Sequence, residues 1–150
     1  MIKKIFSTFT VRFGSAILNF LIAVIVSQYL GASGKGEQGI LVATIAIIML
    51  FDNLIGGATV VYLTPRLKIK SIILVSYFWA LFVSLITFGL LWLTHLVEPK
   101  YQLWIAALSG LCSFTSVNTS ILIGKEKINR SNILVFLIPL ITVISVLILF

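Results

Sequence analysis

The chain has few residues able to do chemistry, and their positions say what kind. Its four acidic residues are Glu37, Asp52, Glu98 and Glu126. Asp52 stands near the middle of an apolar run from Ile40 to Leu63. A carboxylate at the centre of a membrane helix costs about 2.5–3.5 kcal/mol to insert. Residues that carry such a cost face a bundle interior or a wet cavity. Asp52 is therefore the candidate for ion coupling or for a cavity site, and it could exchange a proton there. The structural alternative is a hydrogen-bonding residue between helices.

Arg12 lies just inside the first apolar run. It can snorkel back to the head groups, or face an inner cavity as the receiver of an anionic head group. Arg12, Ser15, Asn19, Ala23 and Ser27 step by three or four, so they share a helix face. Arg12 and Asn19, with Arg66 at the far end of the second run, are the head-group candidates. A second polar stripe holds Ser109, Ser113, Ser116 and Ser120, with Cys112, Thr115 and Thr119 beside it and Asn118 close by. Small polar residues serve helix–helix contacts in membranes. They also suit a hydrophilic wall, and Ser113, Ser116, Asn118 and Ser120 are the cavity-wall candidates. His95 and Glu98 fall in an outer loop without a partner acid, thiol or metal set. Asp52, Glu98 and His95 are scattered in depth, so the sequence carries no acid/base constellation for an enzyme. Cys112 is the single cysteine. It can form no disulfide within the chain, and its apolar setting predicts a buried, inert thiol. No cofactor or metal is expected.

One stretch matches a known pattern by letter. GKGEQG, Gly34 to Gly39, fits G-x-G-x-x-G. A dinucleotide turn needs a strand before it and an acidic residue about 20 positions on. Here an apolar run lies on each side, and Thr59 stands where the acid would be. A phosphate-binding loop also fails, because Glu37 follows Gly36 where Lys is required. The stretch reads as a tight hairpin between two membrane helices, and no nucleotide is expected.

The elements that position these residues follow from composition. Of the 150 residues, 60% are hydrophobic and 10% charged, where globular domains average about 25% charged. Such a chain belongs in a bilayer. Five runs have the roughly 20 apolar residues that a crossing helix needs: 9–30, 40–63, 71–93, 101–123 and 132–150. The first is too long for a signal-peptide core and is expected to stay as a helix. Backbone groups in lipid must pair internally, and none of the runs alternates like a barrel strand, so the fold class is all-α integral membrane.

The net charge is +7. The cations fall in the breaks between runs, without a nucleic-acid motif or a basic stripe interleaved with aromatics. Lys3, Lys4, Arg12, Arg66, Lys68, Lys70, Lys125, Lys127 and Arg130 mark one side; Lys35 and Lys100 mark the other. The positive-inside rule places the N-terminus in the cytoplasm. At 1.5 Å per residue, Asn19 is about 15 Å and Asp52 about 16 Å above the cytoplasmic side, which predicts their proximity. The apolar run continues to Phe150 with no polar residue after it, and the sequence reads as a fragment cut in or at the end of the fifth helix.

Four stretches carry a resemblance: the basic start of the first helix, QYLGASGKGEQGILVATIAI, FDNLIGGATVVYLTPR and ILIGKEKINRSNIL. Together they resemble the N-terminal part of bacterial polysaccharide (O-antigen type) flippases, within the multidrug/oligosaccharidyl-lipid/polysaccharide exporter superfamily. The resemblance spans essentially the whole chain. It implies two six-helix lobes around a central cavity, of which this sequence would supply a partial first lobe. It implies alternating access in the bacterial cytoplasmic (inner) membrane, ion-gradient coupling in some members, and a polyprenyl-pyrophosphate-linked oligosaccharide as substrate. That substrate feeds lipopolysaccharide and other surface polysaccharides, with polymerisation machinery and membrane lipids as partners. Arg12 best suits the family's cationic head-group receiver, and Arg66 is the weaker match. The alternatives are a multidrug exporter of the same superfamily and a small membrane scaffold or assembly protein packing through its Gly/Ser faces.

Overall fold

The computed structural model describes residues 2–149, with side chains from Phe6 to Ile148. The side chains of Lys3 and Lys4 and the last residue of the fifth expected span, Phe150, lie outside the described residues. The helices are α1 (Ile2–Asp52), α2 (Gly57–Leu63), α3 (Ile69–Thr94), α4 (Pro99–Gly124) and α5 (Ile128–Leu149). Among the described residues there is no strand. Four helical stretches are long and apolar enough to cross a membrane: Phe6–Leu63, Ile69–Thr94, Pro99–Gly124 and Ile128–Ile148. The chain has the build of a multi-pass α-helical membrane protein.

Small polar residues share the interior with apolar ones, and many large apolar side chains lie outside. On α3 the exposed face carries Leu74, Phe78, Leu85 and Leu93, while Ser76, Ala80 and Thr87 are buried. On α4, Ser109, Gly110, Ser113 and Ser120 are inside and Leu103, Trp104 and Leu111 outside. Lipid solvates large apolar side chains as well as a protein core does, so burial goes to the small residues that let backbones approach.

The chain forms two compact units. One comprises the residues up to Gly39 and those from Glu126 on; the other is Ile40–Lys125. In the first, α1 runs through the stretch expected to be a loop. Residues 34–39 are helical, and the break is one residue, Gly31, with φ 66° and ψ −168°. Essentially only glycine adopts that combination. The chain folds back there. Lys35 Nζ reaches the carbonyl of Ala23 at 3.4 Å, although 12 residues of straight helix would separate them by about 18 Å. A Cβ on Gly34 would sit 2.6 Å from the Leu30 Cβ, where a regular helix keeps such positions about 5–6 Å apart. The expected reversal is present, but it needs no loop. α5 packs on α1 in the same unit. The Ser15 hydroxyl lies 3.2 Å from the Val135 carbonyl, and Asn132 Nδ2 donates to Thr8 Oγ1 at 3.1 Å.

In the second unit α2 and α3 both pack on α4. Two apolar clusters form its core: Ile48, Val83, Leu91, Val97 and Ile105 in one, and Val60, Ile72, Val117 and Ile121 in the other. The α3–α4 turn is closed by His95 in the left-handed region and by Pro99 at the first turn of α4, where its missing N–H costs nothing. Gln102 Nε2 donates to the carbonyls of Leu91 and Val97 at 3.1 and 3.2 Å. One expectation is corrected here. The run 40–63 is not a continuous helix: it breaks after Asp52, passes through a turn, and resumes at Gly57.

Gly124 measures how tight this packing is. A Cβ there would meet the Thr64 Cβ at 2.6 Å and the Val61 carbonyl oxygen at 2.9 Å. Gly124→Ala is expected to cost about 1–3 kcal/mol, the usual penalty of overpacking. Gly36 is helical with open space around it, so Gly36→Ala should gain about 0.5–1 kcal/mol of helix propensity. Thermal unfolding of the two variants in detergent should move the midpoint in opposite directions.

Candidate functional site

The site is built on the break between α1 and α2. The helical ladder stops at its last turn: the Leu54 N–H bonds the Phe51 carbonyl at 3.2 Å, one position short of its regular partner. The indole of Trp79 on α3 donates to the same Phe51 oxygen at 3.2 Å. Gly56 bonds back to the Asp52 carbonyl at 3.1 Å. α2 then begins at Gly57, whose φ of 52° is left-handed, a position that favours glycine. Asn53 fills the space under the turn; a Cβ on Gly57 would be 3.2 Å from its Oδ1. That same oxygen accepts a hydrogen bond from Ser116 of α4 at 3.4 Å.

Asp52 closes α1, and its side chain is 3% exposed. Both carboxylate oxygens are sealed from solvent and neither has a hydrogen-bond partner. The polar neighbour beside it is Ser113 of α4, itself buried. Among the described residues no cation pairs with Asp52; the ion pair in this unit is Lys100–Glu98 at 2.7 Å. The cations of the unit stand at its ends, Arg66, Lys68 and Lys70 after α2, Lys100 opening α4 and Lys125 closing it. An unpaired buried carboxylate is costly, and a native fold keeps one where something else supplies the missing charge.

The other expected residues distribute as follows. Ser113 and Ser120 are buried in the α4 contact face, and Ser116 is half-buried and bonded to Asn53. Asn118 Oδ1 accepts a hydrogen bond from the Tyr77 hydroxyl of α3 at 2.9 Å. Arg66 turns back on its own helix end, with its guanidinium 3.5 Å from the Tyr62 ring centroid and Nη1 donating to the Tyr62 carbonyl at 3.3 Å. Arg12 and Asn19 are exposed on α1, while Ser15 between them is turned in. Asn19 belongs to the first unit and Asp52 to the second. Cys112 is exposed, which corrects the expectation of a buried thiol: one residue before buried Ser113, it is rotated off the packed face. By type, Gly56–Gly57 permit close packing or a bend in the run 40–63, and the chain does depart from straight helix there; a full break starting at Asp52 was not anticipated, nor were Asn53 and Trp79 as its supports. The signal for it was the run DNLIGG, an Asp-Asn pair followed three residues later by two glycines inside an apolar stretch.

The chain matches no protein-family model, no curated protein and no solved structure in the comparisons made.

The unpartnered carboxylate makes a prediction about stability. At neutral pH or above, Asp52→Asn removes a buried carboxylate that no group of the described residues pairs. It should stabilise the fold by about 1–3 kcal/mol, the scale of one unsatisfied buried polar group. A higher thermal midpoint in detergent is the expected result. A lower one would mean that a protein partner holds Asp52.

Proposed function

We propose that this chain is part of a transporter lobe that moves a polyprenyl-pyrophosphate-linked oligosaccharide across the bacterial cytoplasmic membrane for surface polysaccharide synthesis. The observation that carries transport is the interrupted helix with a sealed carboxylate at the break. Irregular backbone at membrane depth survives only inside protein or against a watery cavity. Transporters place substrate and ion sites at such discontinuities. The substrate class rests on the resemblance of the quoted stretches and on Arg12, a guanidinium exposed between Phe9 and Phe13 on an apolar helix. Guanidinium is well matched to pyrophosphate geometry.

In this reading the chain crosses the membrane five times from a cytoplasmic N-terminus. The first two crossings meet at Gly31, and the second is the broken one. Alternating access would use the rest of a two-lobed protein, and the product would pass to the polymerisation machinery. The scaffold alternative needs free Gly/Ser faces for assembly. Those of α4 are already spent within one unit, since Ser109, Gly110, Ser113 and Ser120 are buried there.

Arg12→Ala in the intact protein is expected to cut export of surface polysaccharide by tenfold or more, on the order of one lost charged hydrogen bond. Protein in the membrane should be unchanged, and Arg12→Lys should restore part of the export. Export at the original level in Arg12→Ala would remove the head-group role.

A further inference from the structure

A cleft of about 290 Å³ lies between the starts of α1 and α5, wholly within the first unit. The end nearer the helix starts is polar. Ser7 of α1 and Asn129 of α5 line it there, each within the first turn of its membrane-spanning stretch. The other end is apolar, with Val11 on one wall and Ile133 and Leu137 on the other. From Asn129 to Leu137 is about 12 Å along α5. Polarity therefore falls with depth, as it does from lipid head groups to acyl chains. Asn132 lies between the two ends. It is 8% exposed and donates to Thr8 Oγ1 through Nδ2, and an amide nitrogen carries two such hydrogens.

Positive charge gathers at the polar end. Lys3 and Lys4 precede Ser7 by about one turn of α1, Lys127 stands just before α5, and Arg130 lies in its first turn. Glu126 is the one acid beside them in sequence. Arg130 is three residues before Ile133 and seven before Leu137, so it shares their helix face. Arg12 is placed differently. It follows Val11 and is turned from it by about 100°, away from the wall that Val11 forms. Topology alone puts cations at a helix start. It does not call for a cleft with amide donors at one end and aliphatic walls at the other. An acidic peptide or a free phosphate would match the charge and leave the apolar end unfilled. A lipid with an anionic head group matches both ends, and basic pockets between membrane helices take such head groups.

We propose that the α1–α5 cleft binds one anionic phospholipid of the surrounding leaflet. Its phosphate is held by Arg130, Lys127 and the Asn129 amide, and the start of one acyl chain runs along Ile133 and Leu137. The rest of the molecule stays in the bilayer. The lipid adds a bridge between two helices that meet through the Ser15–Val135 and Asn132–Thr8 contacts. It is a resident lipid, bound without being moved. The site does not rest on the transport reading, because its ligands exclude Arg12 and all belong to the first unit.

The test is native mass spectrometry of the delipidated, detergent-purified protein, titrated with dioleoylphosphatidylglycerol or with dioleoylphosphatidylcholine. One phosphatidylglycerol is expected to bind, at about a tenth of the phosphatidylcholine concentration or less. Arg130→Gln and Lys127→Gln should each weaken it about fivefold, the worth of one cation near a lipid surface. Lys68→Gln removes the same charge from the other unit and should change it less than about twofold, since distant exposed charges are screened. Arg12→Ala should also leave it nearly unchanged, which separates this site from the head-group role in transport. Ile133→Trp fills the apolar end without altering charge and should abolish the lipid preference. Size-exclusion profiles report folding, and the two charge variants carry the test if the Trp variant does not fold. Glycerol phosphate, a head group without chains, should not displace the lipid at equal concentration. Equal binding of the two lipids, or an equal loss in Lys68→Gln, would mean diffuse attraction and would overturn the proposal. So would an equal loss in Arg12→Ala, which would make this the transported lipid's receiver, or displacement by glycerol phosphate, which would make it an anion pocket. Because no transport is measured, loss of the flippase reading would leave this result unaffected.

Discussion

Small residues on α4 are the condition for the rest of the second unit. Lipid removes the hydrophobic drive that would press helices together in water, so association depends on close van der Waals approach and a few hydrogen bonds. α4 meets that need at two glycines. Gly110 sits under Ser84 of α3, where a Cβ would be 2.8 Å from its hydroxyl oxygen, and Gly124 sits under Thr64 and Val61 at the end of α2. With those approaches in place, the serines between them face inward at backbone distance. The large residues of α3 and α4 are then free to meet lipid.

The break at Asp52 depends on that packing. A helix interrupted inside a bilayer leaves carbonyl and amide groups without partners, and water is not there to take them. The neighbouring helices supply the partners instead. Trp79 covers the Phe51 carbonyl from α3, and Ser116 holds Asn53 from α4. Thr64 returns its hydroxyl to the Val60 carbonyl at 2.7 Å and so closes α2. The Asp52 carboxylate is left over; among the described residues the Ser84 hydroxyl of α3 is the other buried side-chain group without a partner.

Much of this was legible in the sequence, and the exceptions have physical causes. α3 and α4 were expected at 71–93 and 101–123 and run from Ile69 to Thr94 and Pro99 to Gly124; long apolar runs between basic or proline-marked breaks define themselves. The reversal after the first run was legible too, but its location was not. GKGEQG draws the eye with three glycines, yet the residue that turns the chain is Gly31, because conformation and not glycine content makes the turn. The break after Asp52 was half legible: Gly56–Gly57 permit a bend, but Leu54 and Ile55 keep the hydropathy of the run high across a non-helical turn. Asp52 stood out from its insertion cost alone. Sorting Ser113 beside it from Ser116, which serves Asn53, requires the phase of α4 relative to α1 and α2, and no spacing within one helix contains that. Asn118 and Cys112 show the same limit: which face is packed depends on the partner helix.

The one-residue reversal at Gly31 has a consequence for how this chain can vary. A loop absorbs an added residue as slack, but a corner with helix on both sides has none. One residue inserted between Val26 and Gly31 would rotate the face before the corner by about 100° against the face after it, and advance it about 1.5 Å. Buried Val26 and the Lys35–Ala23 contact would then fall out of phase together. Length changes in this chain are therefore channelled away from its most glycine-rich segment and toward the turns after Thr64 and Thr94, where the helices have true ends.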